Sequence, residues 1–209
     1  MKKLYIFIII LLFLTFSCDK DRCSKELTQD DYILFNIVLD TLYASVKYDS
    51  ILRNLKFDDD SNLIEFEDDK IPNRDKYFLI YDSTFHYYLP PNNGNPKGSI
   101  PGILDETANN FLKCNHRSYR IVGSLLATKY NFKMIKRKKR INWYEINNLY
   151  PNRFGIVNFS RIGFNKDKTQ AIVDIGFLQS GLSGFGMLIL FEKKNDKWIV
   201  TKKINTWIA

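Results

Sequence analysis

Four alternating apolar runs crowded into the last 55 residues leave this chain few folds to choose from. They span residues 155–164, 169–178, 184–193 and 197–208. The polar segments Asn165-Lys166-Asp167-Lys168 and Lys194-Asn195-Asp196 separate the first pair and the last pair. A parallel crossover needs a dozen or more residues, so these short links predict antiparallel hairpins. In the second run Ala171, Val173, Ile175 and Phe177 share one face. In the fourth, Trp198, Val200, Ile204 and Ile208 share one, with Thr201, Lys203 and Asn205 opposite. The third, Met187-Leu188-Ile189-Leu190-Phe191, is apolar on both faces and suits a central strand. Gly181-Leu182-Ser183-Gly184-Phe185-Gly186 has strands on both sides, whereas a phosphate loop needs a strand and then a helix. It is expected to be a hairpin.

A sheet with one apolar face needs a cover. Leu34, Phe35, Val38, Leu42 and Val46 keep helical spacing, and Thr28 can cap the helix they define, with Asp30 and Asp31 in its first turn. The spacing predicts an amphipathic helix over 28–47, packed on a C-terminal antiparallel meander of about four strands. The fold class is therefore α+β. Tyr77 to Thr84 reads as a strand, with Phe78 and Ile80 on one face and Tyr77, Leu79 and Tyr81 on the other. Residues 105–114 suit a short helix capped by Asp105. Residues 119–130 are ambiguous and lean helical. Residues 90–102 hold four of the six prolines and form an irregular loop. Hydrophobic residues make up 45% of the chain, enough for a real core. The organisation expected is an export signal over 1–17, a polar tether over 18–27 and one domain over 28–209.

The signal rests on Met1-Lys2-Lys3, the apolar run from Leu4 to Phe16, and Ser17-Cys18 before a charged stretch. The run is shorter than the ~20 apolar residues of a membrane span. Cys18 resembles the lipid-modified cysteine of bacterial lipoproteins, on the string Leu14-Thr15-Phe16-Ser17-Cys18. The resemblance implies a lipid-anchored protein of the cell envelope, facing the periplasm or the outer surface. Ordinary cleavage and secretion is an alternative, because Thr15 and Ser17 loosely mimic a small-x-small site, and an uncleaved anchor is another. Lipid on Cys18 leaves Cys23 and Cys114. An oxidising compartment permits a disulfide between them, tying tether to domain; two unpaired thiols are the alternative.

A second resemblance covers about the last 65 residues. Tyr150-Pro151, Gly155-Ile156, Phe159-Ser160-Arg161-Ile162-Gly163-Phe164-Asn165, Ala171, Gly181, Gly184, Gly186, Trp198 and Trp207-Ile208 resemble a family of uncharacterised exported bacterial proteins. It implies a lipoprotein or secreted domain and no assigned activity.

Net charge is +8, but residues 18–128 carry 13 basic and 18 acidic side chains (−5) and residues 129–209 carry 16 and 5 (+11). The densest cluster is Lys129, Lys133, Lys136, Arg137, Lys138, Lys139 and Arg140, flanked by Tyr130, Phe132, Trp143 and Tyr144. For an exported chain the partner of Lys136, Arg137, Lys138, Lys139 and Arg140 would be anionic lipid or acidic glycan, not nucleic acid. The alternative is a solvated loop. Asp58-Asp59-Asp60-Ser61-Asn62 with Asp69 imitates a calcium loop but has Leu63 where glycine is needed, so a solvated acidic loop is favoured. Cys114 and His116 lie too close in sequence for an ordinary thiol–imidazole pair, and Asp105-Glu106 point apart on a helix. No cofactor or metal site is expected. The role expected is a non-catalytic binding or structural domain, with any protein partner unknown, or alternatively a secreted hydrolase whose site follows no recognised pattern.

Overall fold

The computed structural model describes residues 23–53, 55–57, 63–66, 76–85, 102–126 and 130–209. Its C-terminal part is antiparallel throughout. Strands β5 (Arg153–Phe159), β7 (Gln170–Ser180), β8 (Ser183–Lys194) and β9 (Lys197–Ile208) pair in that order, and β6 (Gly163–Phe164) pairs with β7. Asn195 and Asp196, linking β8 to β9, sit at φ of 49° and 59°, the conformation a two-residue type I′ turn demands. The Gly181–Gly186 segment is a hairpin, as its flanks implied.

The sheet holds seven strands rather than four, and it is mixed. Two further strands, β3 (Tyr77–Tyr81) and β4 (Phe132–Ile135), extend it in the order β4-β3-β5, and both of those pairings are parallel. Residues 82–131 and 136–152 connect them, long enough for crossovers. A separate hairpin pairs β1 (Leu55–Phe57) with β2 (Leu63–Phe66). The rest of the acidic 58–69 stretch lies outside the described residues. The first expected strand breaks in two because Ser160 turns inward. Its N–H donates to the Asp174 carbonyl, and its hydroxyl accepts from the Asp174 N–H, both at 2.8 Å.

Among the described residues, three α-helices cover this sheet. Helix α1 (Gln29–Arg53) runs past its expected end. Thr28 and Asp31 close its first turn reciprocally: the Thr28 N–H donates to Asp31 Oδ2 (2.7 Å) and the Asp31 N–H to Thr28 Oγ1 (3.4 Å). Its Leu34, Phe35, Val38 and Leu42 share a buried cluster with Phe78, Val157, Val173, Ile175 and Phe191. Helix α2 (Asp105–Cys114) covers part of the other face, placing Phe111 among Ile172, Leu188 and Leu190. Leu104, not Asp105, occupies its cap position. At Gly163 an added Cβ would lie 2.4 Å from the Phe111 Cα, so only glycine lets the α2 backbone rest on β6. Helix α3 (Trp143–Leu149) places Trp143 and Ile146 against Leu79, Ile135 and Ile156.

Two further sequence expectations are corrected. Residues 119–126 are mostly extended, with one 3₁₀ turn at Gly123–Leu125. Tertiary pairing outweighs the local helical lean: Arg120 bridges Ser83, and the Ile121 N–H donates to the Asp82 carbonyl. The second correction concerns β9. Leu190 pairs with Lys202 but Phe191 pairs with Val200, so Thr201 is an extra residue. The bulge sends Trp198 and Val200 to the α1 face and Ile204 to the α2 face. Ile208 is exposed.

Candidate functional site

Strands β3, β4 and β5 run parallel, so Tyr81, Ile135 and Phe159 finish at one end of the sheet. Two constellations stand on that end. The first holds the N-terminal segment. Cys23 and Cys114 are joined by a disulfide with Cα atoms 5.3 Å apart, which fastens residue 23 to the last turn of α2. Beside it, Arg161 is 4% exposed. Its Nη1 donates to the Ser24 carbonyl and its Nη2 to the Glu26 carbonyl, both at 3.1 Å, and its guanidinium lies 4.1 Å from the Tyr119 ring. Asn115 holds the backbone of the same residue: its Oδ1 accepts from the Arg161 N–H (2.6 Å) and its Nδ2 donates to the Arg161 carbonyl (2.9 Å).

Asp31 lies beneath Arg161, with its Oδ2 3.9 Å from Nη2. Burial pushes the Asp31 carboxyl up from its ordinary value, against the pull of Arg161 and of the Thr28 N–H and hydroxyl. Oδ1 of Asp31 has no hydrogen-bond partner among the described residues. A cavity of about 210 Å³ opens here, with Asp31 and Arg161 in its wall and Lys166 and Lys168 beside them. Lys168 is held by Asp30 at 2.5 Å. Among the described residues, Asp31 is the one carboxylate in the wall. Cys114 is taken by Cys23. His116 is exposed, with its Nδ1 against the Lys113 carbonyl.

Replacing Arg161 by Met strips hydrogen bonds from two carbonyls and leaves Asp31 without its counter-charge. Breaking a buried pair costs about 3–5 kcal/mol, and proton uptake by Asp31 holds this case near the lower figure, about 3 kcal/mol. Chemical denaturation at pH 7 checks it. A loss below about 1 kcal/mol would mean the pair carries no weight in folding.

The second constellation is the basic loop after β4. Arg137 is its root rather than part of its surface. Nη2 donates to the Ser83 carbonyl (2.9 Å) and to Asn158 Oδ1 (2.5 Å), its N–H donates to Asp82 Oδ1 (3.1 Å), and the guanidinium sits 4.5 Å from the Tyr81 ring. Burial lowers its pKa from the ordinary value, with Tyr81 and Asp82 opposing the shift. Lys138 is paired with Glu145 at 2.9 Å. Lys136, Lys139 and Arg140 are exposed. Lys133 lies on β4, 4.3 Å from the Tyr77 ring. Lys129 is outside the described residues, as are Cys18 and the calcium-like set Asp58 to Asn62 with Asp69. The structure therefore divides the five nominated residues into a half-buried root, a paired lysine and three presented cations.

Sequence reasoning missed two residues. Arg161 stood in a notable string with no role attached. Asp174 drew no reading at all, yet it is 6% exposed and burial pushes its carboxyl up to about 7. The signal available was Ile172, an apolar neighbour on the same strand face, which implied a covered second face. No protein-family model, curated protein or solved structure matches this chain.

Proposed function

We propose that this protein is an envelope lipoprotein, held at a membrane through lipid on Cys18, whose folded domain binds or supports an envelope component without catalysis. It would stand with the uncharacterised exported bacterial proteins that its last 65 residues resemble. The observation that carries this reading is the fastening of Cys23 to the body, five residues after the cysteine nominated for lipid. A protein meant to drift on a long leash has no use for such a clasp. Here the disulfide and Arg161 draw the rigid body to the foot of the tether. Occupation of Cys114 by the disulfide also removes the one thiol beside a histidine, which weighs against a thiol hydrolase.

Intact-mass analysis of the protein from native membranes tests the anchor. The expected species begins at Cys18 and carries the mass of diacyl and N-acyl chains. Stable attachment takes more than one chain, at about 0.8 kcal/mol for each buried methylene. An unmodified N-terminus at or beyond residue 18, with release by salt alone, would refute the proposal.

A further inference from the structure

We infer that the end of the sheet bearing the clasp and the basic loop docks flat on an anionic lipid bilayer. The inference rests on the lipid-anchor reading and adds a second, electrostatic contact to it. Its first support is topological. Arg161 follows β5 and grips residues 24 and 26, while the basic loop follows β4, two strands away. Strand spacing puts the two about 10 Å apart. Arg137 ties the loop across this end by bonding Ser83 after β3 and Asn158 on β5. The loop is thus a fixed part of the surface from which the tether leaves.

The second support is reach. From Cys18 to Cys23 an extended chain covers about 17 Å. A body clasped at Cys23 is therefore held within that distance of the headgroups, about two Debye lengths at physiological salt (~8 Å each) but well inside the ~30 Å Debye length at low salt. The third is charge. Lys136, Lys139, Arg140 and, beside the clasp, Lys25 are exposed. Among the described residues the nearby carboxylates are mostly engaged: Asp82 with the Arg137 N–H, and Glu145 with Lys138, which leaves Glu26 as the exposed acid beside the clasp, while in the sequence before Cys23 the acids Asp19 and Asp21 are matched by Lys20 and Arg22. Tyr144, 77% exposed at the start of α3, gives the same end a side chain suited to the headgroup level.

The test uses full-length protein purified from native membranes and reconstituted into vesicles, either phosphatidylcholine alone or phosphatidylcholine with phosphatidylglycerol. A water-soluble amine reagent labels lysines, and peptide mass spectrometry reads the rate at each. Labelling of Lys25, Lys136 and Lys139 is expected to be at least ~5-fold slower on the anionic vesicles at low salt, because each surface cation adds about fivefold to binding. The difference should vanish in high salt, and Lys203, exposed on β9 at the far edge of the sheet, should label alike on both. A variant carrying Lys136→Gln, Lys139→Gln and Arg140→Gln, with Arg137 kept as the root, should lose the slowing at Lys25. Equal labelling on the two vesicle types overturns the inference. So does equal slowing at Lys203, or slowing at Lys25 that survives in the variant. Intact mass of the same sample scores the anchor separately. A chain found without lipid is mixed with the same vesicles and labelled in the same way, so loss of the anchor and loss of docking are told apart.

Discussion

Breaking the Cys23–Cys114 bond, by reductant or by Cys23→Ser with Cys114→Ser, is expected to lower the unfolding free energy by about 4–5 kcal/mol. The bond joins residues 91 apart in sequence. Chain entropy in the unfolded state rises with the length of the loop released, which is the source of that figure. Domains of ordinary stability hold about 5–15 kcal/mol in total, so the loss is a large share. Denaturant unfolding with and without reductant measures it, and a steeper m-value should accompany the loss as the unfolded chain expands. Proteolysis after Lys25 should quicken in the reduced protein, since among the described residues the Arg161 hydrogen bonds are then what holds residues 24–26 to the body. A shift of less than about 1 kcal/mol would show that the clasp adds little to folding.

Asp174 sets the expected pH dependence. Its carboxyl titrates near 7 in the folded protein, because burial dominates over the Ile175 N–H that favours its charge, against 3.8 ordinarily. Between these values the unfolded chain has lost the proton and the folded chain keeps it. Stability contributed by this group is therefore complete below pH ~4, falls as pH rises towards 7, and is flat above. The full drop is about 4 kcal/mol, at ~1.36 kcal/mol for each pH unit. Asp31 is shifted in the same direction and adds to the same slope. Asp174→Asn should flatten this part of the profile and be more stable than the parent protein at pH 8, by up to a similar amount. Urea unfolding of both proteins from pH 4 to 8 gives the comparison. Two parallel curves would mean that Asp174 is charged in the fold and solvated.

The readable part of the fold was local. The runs around Val173 and Leu188 announce strands by period, and Asn195-Asp196 announces its turn by chemistry. The α1 cap follows from Thr28 and Asp31 three residues apart. What escaped depends on distant partners. The place of Tyr77–Tyr81 beside β5 is set by a parallel pairing across more than 70 residues, and nothing within the strand encodes it. Helix α2 hides Ile172, so the alternation of β7 looked one-sided when both faces are covered. One extra residue at Thr201 reverses the faces of β9, which a strict two-residue period cannot anticipate. The basic cluster was visible as charge. Its division into a rooted Arg137 and presented Lys136, Lys139 and Arg140 depends on Ser83 and Asn158, far off in sequence.

The clasp also decides how the molecule would carry a pull. Tension arriving along the chain from residues before Cys23 meets, among the described residues, a covalent bond before it meets any hydrogen bond. The load passes into the end of α2, which lies on β6 and β7, and so into the interior of the sheet. It bypasses Ser24, Glu26 and the first turn of α1, which a tug would otherwise peel away one contact at a time. Once the bond is cut, the same tug acts on Arg161 first and then unwinds α1 from its capped end. Oxidised protein should thus yield abruptly at high force under an optical trap, and reduced protein gradually at low force.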